Sequence, residues 1–326
     1  MIDLKTLSQA LARYRQPDPS RAVFELVVTL VPLCGLWALM WLSLGVGYWL
    51  TLLLAVPAAG LIVRLFMIQH DCGHGTFFSH KLTNDWLGRV LGIFTLTPYD
   101  YWKRNHAIHH ATSGNLDRRG VGDIDTLTVA EYQAKSRMGR IAYRCYRNAF
   151  VMFGVGPAYL FLLQHRLPFL QMRAGWRPWV STMVTNAGIA GFAALMIWLV
   201  GWRPFLAIHL PVTMLAASIG VWLFYVQHQF ENVEWQRDGA WTHPGGALAG
   251  SSYYDLPAVL GWFTANIGIH HVHHLNSRIP FYRLRQVLRD HPELKMAHRL
   301  TFRESLRGIR LSLWCENRRK LVPFGG

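Results

Sequence analysis

Charge is scarce in this chain, and acid is scarcest. Only 16% of its 326 residues are charged, 18 Asp and Glu against 33 Lys and Arg, where an average soluble domain is nearer a quarter charged. With 52% hydrophobic residues and a positive mean hydropathy, this shortage argues against soluble domains and for one lipid-embedded unit over residues 1–326. Cysteine is also sparse. Cys34, Cys72, Cys145 and Cys315 stand far apart and form no CxxC, which argues against a disulfide framework and fits a cytosolic face for the polar mass. No secretory signal is expected either, because some twenty mostly polar residues precede an apolar run too long for an h-region, and no small-residue cleavage site ends it. No internal repeat, low-complexity segment or nucleic-acid motif is present, so the formal net charge of +15 is not read as a nucleic-acid footprint. The basic residues lie between apolar runs, among them Lys103, Arg104, Arg118, Arg119, Arg137, Arg140, Arg144 and Arg147. Positive-inside bias and attraction to anionic headgroups account for them.

What the chain does have is long apolar runs. A bilayer core needs roughly 20 apolar residues per helix. Runs over about 23–44 and 48–68, joined by a tight turn at Gly45–Gly47, make one hairpin, and runs over about 180–200 and 205–226 make a second. Residues 1–20 read as a short amphipathic helix lying at the interface. Arg64, near the end of the second run, is expected to snorkel to the membrane surface. Residues 148–163 are apolar but broken by Gly154, Gly156 and Pro157, and read as an interfacial or re-entrant piece. Both short turns would face away from the cytosol. Both termini and the long basic segments, 69–147 and 227–326, would then form a helical cytosolic cap. The fold expected is an all-α membrane protein with four transmembrane helices in two hairpins.

Histidine is concentrated. More than half of the 16 His lie in three clusters: His70-Asp71-Cys72-Gly73-His74, His106-Ala107-Ile108-His109-His110 and His270-His271-Val272-His273-His274. Residues at i, i+3 and i+4 share one helix face, so His70 with His74, His106 with His109 and His110, and His270 with His273 and His274 can each aim their rings at one point. Imidazole is the usual nitrogen ligand for iron, zinc and copper. Eight such ligands are too many for one first-row ion, which takes about four to six, so two metals sharing eight or nine nitrogens is the economical arrangement. Zinc sites usually stop at four ligands; a nitrogen-rich, paired site with open positions suits redox iron with dioxygen as oxidant.

His228, just after the fourth run and at the depth of His70, is either a ninth ligand or an ordinary interface histidine. His271 points off the face of its neighbours and is a candidate to support the ligands rather than bind. His80, His165, His209, His243, His291 and His298 read as ordinary polar residues. Ligating imidazoles need hydrogen-bond acceptors that fix their tautomer. Asp71, Asp117, Asp123, Asp125, Glu231, Asp255 and Asn266 lie in polar stretches near the clusters and are candidates, each with a solvated loop charge or helix cap as the competing reading.

The three clusters resemble the histidine boxes (HxxxH, HxxHH, HxxHH) of integral-membrane fatty acid desaturases. The context is similar as well: His74-Gly75-Thr76-Phe77-Phe78, Gly114-Asn115-Leu116-Asp117, Gly250-Ser251-Ser252-Tyr253-Tyr254 and Asn266-Ile267-Gly268-Ile269. Arg278-Ile279-Pro280 looks like the bacterial branch related to acyl-lipid omega-6 (delta-12) desaturases. The resemblance covers roughly residues 45–285. It implies a non-haem di-iron centre held by the box histidines and by one more His after the fourth span, which His228 matches. It further implies a dioxygen-dependent reaction that removes hydrogen from two adjacent methylenes of a membrane-associated acyl chain and leaves a cis double bond, in a multi-pass protein of a bacterial inner membrane. His243-Pro244-Gly245-Gly246 resembles the haem-binding tetrapeptide of fused cytochrome domains, but the rest of such a domain is absent and the segment reads as a loop. Electrons would then come from a separate protein, and the basic face would suit an acidic donor such as a ferredoxin. Two other readings are open on sequence: a di-iron hydroxylase or ketolase acting on alkanes, carotenoids or acyl chains, and a metal transporter. The transporter would place ligands near the membrane midplane, where these spans carry almost none.

Overall fold

The four apolar runs become the four longest helices. The computed structural model describes residues 4–296 and 298–325. After a short helix α1 (Leu4–Leu11), the long helices are α2 (Pro19–Ser43), α3 (Tyr48–His74), α9 (Trp176–Val200) and α10 (Trp202–His228), each long and apolar enough to cross a membrane. Between the two hairpins lie α4 (Lys81–Phe94), α5 (Tyr99–Thr112), α6 (Val129–Ala134), α7 (Arg137–Tyr146) and α8 (Gly156–Leu162). After the second come α11 (His243–Ala249), α12 (Ala258–Phe263), α13 (His270–Leu275), α14 (Phe281–Asp290) and α15 (Phe302–Gly308). Sheet is minor. β1 (Leu127–Thr128) pairs in parallel with β4 (Leu313–Cys315), which pairs antiparallel with β5 (Lys320–Val322), and β2 (Tyr253–Asp255) pairs in parallel with β3 (Arg299–Thr301).

Capping sets the helix ends. Asp18 accepts a hydrogen bond from Arg21 N, with Pro19 as the first residue of α2, and Gly75 closes α3 in the left-handed region at φ 70°, a conformation glycine adopts without steric cost. The central element is α3, which packs between α2 and α10. Its core side chains include Ala58, Ala59, Leu61, Leu65 and Ile68, all essentially inaccessible. By contrast, α2 and α9 keep large apolar side chains exposed, such as Val31, Leu42, Val184 and Trp198, a surface suited to lipid.

Several expectations change. The sequence places the ends of the second and fourth spans where apolar character stops, at 68 and 226, yet α3 runs on through His74 and α10 through His228. The polar extensions are stable as helix because other elements bury them. Arg64 does not extend outward from α3. It is buried against an equally buried Glu25 of α2, which its guanidinium contacts directly. The amphipathic start of the chain packs against the rest of the protein. Leu7, Leu11 and Tyr14 join the protein core, Tyr14 donates to Asp290 at 2.6 Å, and Arg15 donates to Asn276 at 3.1 Å. The interrupted stretch 148–163 holds a π-helical turn at Val151–Val155 followed by α8, packed along α10.

Candidate metal centre

Four helices deliver the nine histidines. The C-terminal end of α3 carries His70 and His74, α5 carries His106, His109 and His110, the last residue of α10 is His228, and α13 carries His270, His273 and His274. Two groups result. His70, His74, His106, His110 and His273 form one, and His109, His228, His270 and His274 the other; within each, one nitrogen per ring lies within 4.8 Å of all the rest. The i, i+3, i+4 pattern therefore splits: α5 gives His106 and His110, spaced four apart, to the first group and His109 to the second. The groups adjoin where His110 stacks on His274, with ring centroids 4.2 Å apart.

The geometry within the first group is specific. His106 Nε2 lies 2.9 Å from His70 Nε2, 3.1 Å from His74 Nε2 and 3.1 Å from His110 Nε2, while His273 Nε2 lies 3.1 Å from His110 Nε2. Hydrogen bonding alone does not explain three nitrogen neighbours around one ring nitrogen, which carries at most one proton. Imidazoles bound at right angles around one ion, with bonds of about 2.1 Å, would place their nitrogens about 3.0 Å apart. In the second group His228 Nε2 lies 2.9 Å from His270 Nε2 and 3.2 Å from His109 Nε2.

Electrostatics favours the ligating form. Burial pushes His106, His110, His270, His273 and His274 well below the ordinary histidine range, with neighbouring histidines adding to it. All five rings are thus neutral at physiological pH, the state in which imidazole binds a metal. Among the described residues, His274 Nε2, His270 Nδ1 and His110 Nδ1 are buried without a hydrogen-bond partner, at the cost expected of unsatisfied polar atoms.

The proposed acceptors divide sharply. Asp123 Oδ1 accepts from His109 Nδ1 at 2.5 Å. Burial acts to raise the Asp123 pKa, but the hydrogen bond from His109 leads the effects that outweigh it, so the carboxyl is held below its usual range. Asp71 Oδ1 lies 3.4 Å from His70 Nδ1, and its other oxygen accepts from Phe281 N at 2.7 Å, tying the first box to α14. The other five are engaged elsewhere. Asp117 pairs with Arg237, Glu231 with Lys320 and Asp255 with Arg299; Asp125 and Asn266 make no hydrogen bond to a box histidine among the described residues. His271 stands outside both groups and donates through Nε2 to the Leu294 carbonyl at 3.0 Å. Burial lowers its pKa to about 4, against the opposing pull of that carbonyl.

Two contacts escaped the sequence reading. His228 Nδ1 donates to the Gly250 carbonyl at 3.0 Å, which leaves Nε2 free to face its neighbours; a backbone acceptor has no sequence signal. Trp102 stacks on His106 at 4.6 Å between centroids, and its i−4 position could have shown it. His243-Pro244-Gly245-Gly246 is the start of α11 rather than a loop, capped by Thr242, which accepts from Gly245 N. Gly246 lets α11 approach the end of α5, since a Cβ there would lie 2.5 Å from the Ser113 carbonyl oxygen.

Comparison with known proteins agrees with this arrangement. A family model described as fatty acid desaturase matches residues 47–305. The chain belongs to the fatty acid desaturase family. It is 45% identical over 98% of its length, and 90% of the relative's, to a fatty acid desaturase of Bacillus subtilis (strain 168). It is 28% identical to an sn-1 acyl-lipid omega-3 desaturase (ferredoxin) of Synechocystis sp., over 76% of this chain and 65% of that one. An sn-1 oleoyl-lipid 12-desaturase of Anabaena variabilis is 24% identical over 74% of this chain and 69% of its own. As a member of this family the protein is a membrane-associated oxidoreductase of lipid metabolism.

Proposed function

We propose that this desaturase acts on an acyl chain carried by a membrane lipid, introduces a cis double bond with dioxygen as oxidant, and takes its electrons from a separate donor such as a ferredoxin. The observation that carries the reading is His106 Nε2, set 2.9–3.1 Å from three other imidazole nitrogens. Nine imidazole nitrogens brought together in this way fit two iron ions, five in one group and four in the other. Bound iron would supply the oxidising chemistry by which dioxygen, two electrons and two protons become two waters while the acyl chain loses two hydrogens.

The protein's own residues do the positioning. Asp123 and the Gly250 carbonyl hold the Nδ1 protons of His109 and His228, so both rings offer Nε2. Burial keeps His106, His110, His270, His273 and His274 unprotonated. The acyl chain would be held by apolar contact worth about 0.8 kcal/mol per buried methylene, which makes position along the chain, not polarity, the selector of the bond. Residues 1–326 are read as one unit with the histidines and both termini on the cytosolic side of a bacterial inner membrane, on the evidence of the basic segments between spans. Delta-12 (omega-6) insertion is the regiochemistry to test first.

The test is expression in a bacterium lacking polyunsaturated lipids, followed by double-bond mapping by gas chromatography and mass spectrometry, with His110→Ala as control. New double bonds that disappear in the variant are expected. Hydroxylated products without new double bonds would replace this reading with a hydroxylase.

A further inference from the structure

Away from the histidines, a cavity of about 400 Å³ opens between β2, the 264–269 segment and α14. Three cations line it: Arg285 and Arg289, one turn apart on α14, and Lys295. Among the described residues none of the three is paired with a carboxylate. The acid in the wall, Asp255, is already neutralised by Arg299 at 2.6 Å and accepts from the Tyr253 hydroxyl at 2.9 Å. The cavity therefore carries uncompensated positive charge, with the Tyr253, Thr264 and Asn266 side chains beside it.

Its other wall is α12, which packs against α3, a helix long and apolar enough to cross a membrane. Phe263 packs on Gly60, midway along α3, so closely that a Cβ there would lie 2.7 Å from the ring. Arg64, one turn further on, donates to the Trp262 carbonyl. Val259, Leu260 and Trp262 are nevertheless 66%, 44% and 37% exposed. An apolar helix pinned to a spanning helix and bare on its outer side is suited to lie among lipid acyl chains. Arg285 bridges the two environments. Its guanidinium lies over α12, 2.7 Å from where a Cβ on Gly261 would sit, and donates to the Ala258 carbonyl at 3.3 Å.

We propose that this cavity binds the phosphate of a membrane phospholipid headgroup and so anchors the lipid whose acyl chain is oxidised; the last clause rests on the acyl-lipid reading above, the binding itself does not. Cations at a lipid-facing apolar helix match the two ends of a phospholipid, and the volume suits a headgroup rather than a whole lipid. The cavity floor, Gly268 and Ile269, leads directly into His270. A lipid held there is in register with the third histidine box.

The experiment uses the full chain in a neutral detergent and measures binding of a saturated phosphatidylglycerol in mixed micelles. Each basic residue near an anionic headgroup is worth roughly fivefold in affinity. Arg285→Gln with Arg289→Gln should weaken binding about tenfold or more, and the charge-matched Arg310→Gln with Arg318→Gln should leave it unchanged. Gly261→Val, which displaces Arg285 without removing charge, should weaken it as well. Diacylglycerol, which lacks the phosphate, should not distinguish wild type from the Arg285 and Arg289 variant. Wild-type affinity in that variant overturns the proposal. So does inorganic phosphate or glycerophosphate binding as tightly as the lipid, which makes this a free-anion site, or lost reduction by ferredoxin with lipid binding intact, which gives the surface to the donor. Because binding is read without turnover, a product analysis that fails to show desaturation leaves this result standing.

Discussion

Asp123 Oδ1 lies 2.5 Å from His109 Nδ1, and that contact decides which nitrogen of His109 faces the second imidazole group. With Nδ1 protonated toward the carboxylate, Nε2 is left 3.2 Å from His228 Nε2. A carboxylate in this position fixes the tautomer and raises the basicity of the ligand.

Asp123→Ala should therefore lower iron affinity about 10- to 100-fold while the chain still folds, with the second group affected first. Iron content after dialysis against graded chelator measures it. Asp125→Asn serves as control, since among the described residues Asp125 makes no side-chain hydrogen bond to a box histidine. Equal iron retention in both variants would remove Asp123 from the centre.

His228 gives a stoichiometric test. It is one of four nitrogens in the second group and none in the first. His228→Ala should take iron from about two ions to about one per chain, since a site reduced to three imidazoles falls below the usual count of about four ligands. Elemental analysis of purified protein reads this out. Two ions retained in the variant would return His228 to an ordinary interface histidine.

The parts of this architecture that repeat along the chain were legible in it. Apolar runs located α2, α3, α9 and α10, and the i, i+3, i+4 spacing found the helix faces whose histidines converge. What stayed hidden depends on three-dimensional contact. Spacing could not show that His109 leaves the group of His106 and His110, because the two histidine groups lie on either side of one helix face. Composition near the boxes proposed seven acceptors, but only Asp71 and Asp123 come within reach of a ring; the others meet arginine or lysine partners or lie apart. Arg64 was placed at the membrane surface because its partner is 39 residues away in α2, a pairing that hydropathy does not encode.

Asp85 makes stability depend on acid in a defined direction. It accepts from Lys81 at 2.6 Å, Lys103 at 2.7 Å and the Tyr99 hydroxyl at 3.0 Å, joining α4 to the helix of the second box. Burial works to raise its pKa, but these donors outweigh it and hold the carboxyl at about 2. A folded pKa below the ordinary aspartate value contributes stability above about pH 4 that is lost as pH falls toward 2, about 2 kcal/mol in all. Metal-free wild type should melt higher than metal-free Asp85→Asn at pH 7, and the gap should close on acidification. A gap that holds constant with pH would show that Asp85 acts through shape rather than charge.

The Arg64–Glu25 pair offers the sharpest energetic test of the membrane region. Both side chains are only 2% exposed; Arg64 also donates to Thr29 Oγ1 at 3.2 Å and to the Trp262 carbonyl, while Arg21 reaches Glu25 from the surface at 2.7 Å. Removing Arg64 leaves the buried Glu25 with Arg21 as its cationic partner, so the loss falls toward the lower end of the about 3–5 kcal/mol expected when one member of a buried pair is removed, whereas replacing both by apolar groups of similar volume is often close to neutral. Arg64→Met should therefore lower the melting temperature in detergent markedly, and Glu25→Leu with Arg64→Met should recover most of the loss. The recovery should be incomplete, because the Trp262 carbonyl on α12 still loses its donor. A double variant as unstable as Arg64→Met alone would mean that Arg64 stabilises the fold through α12 and not through its charge partner.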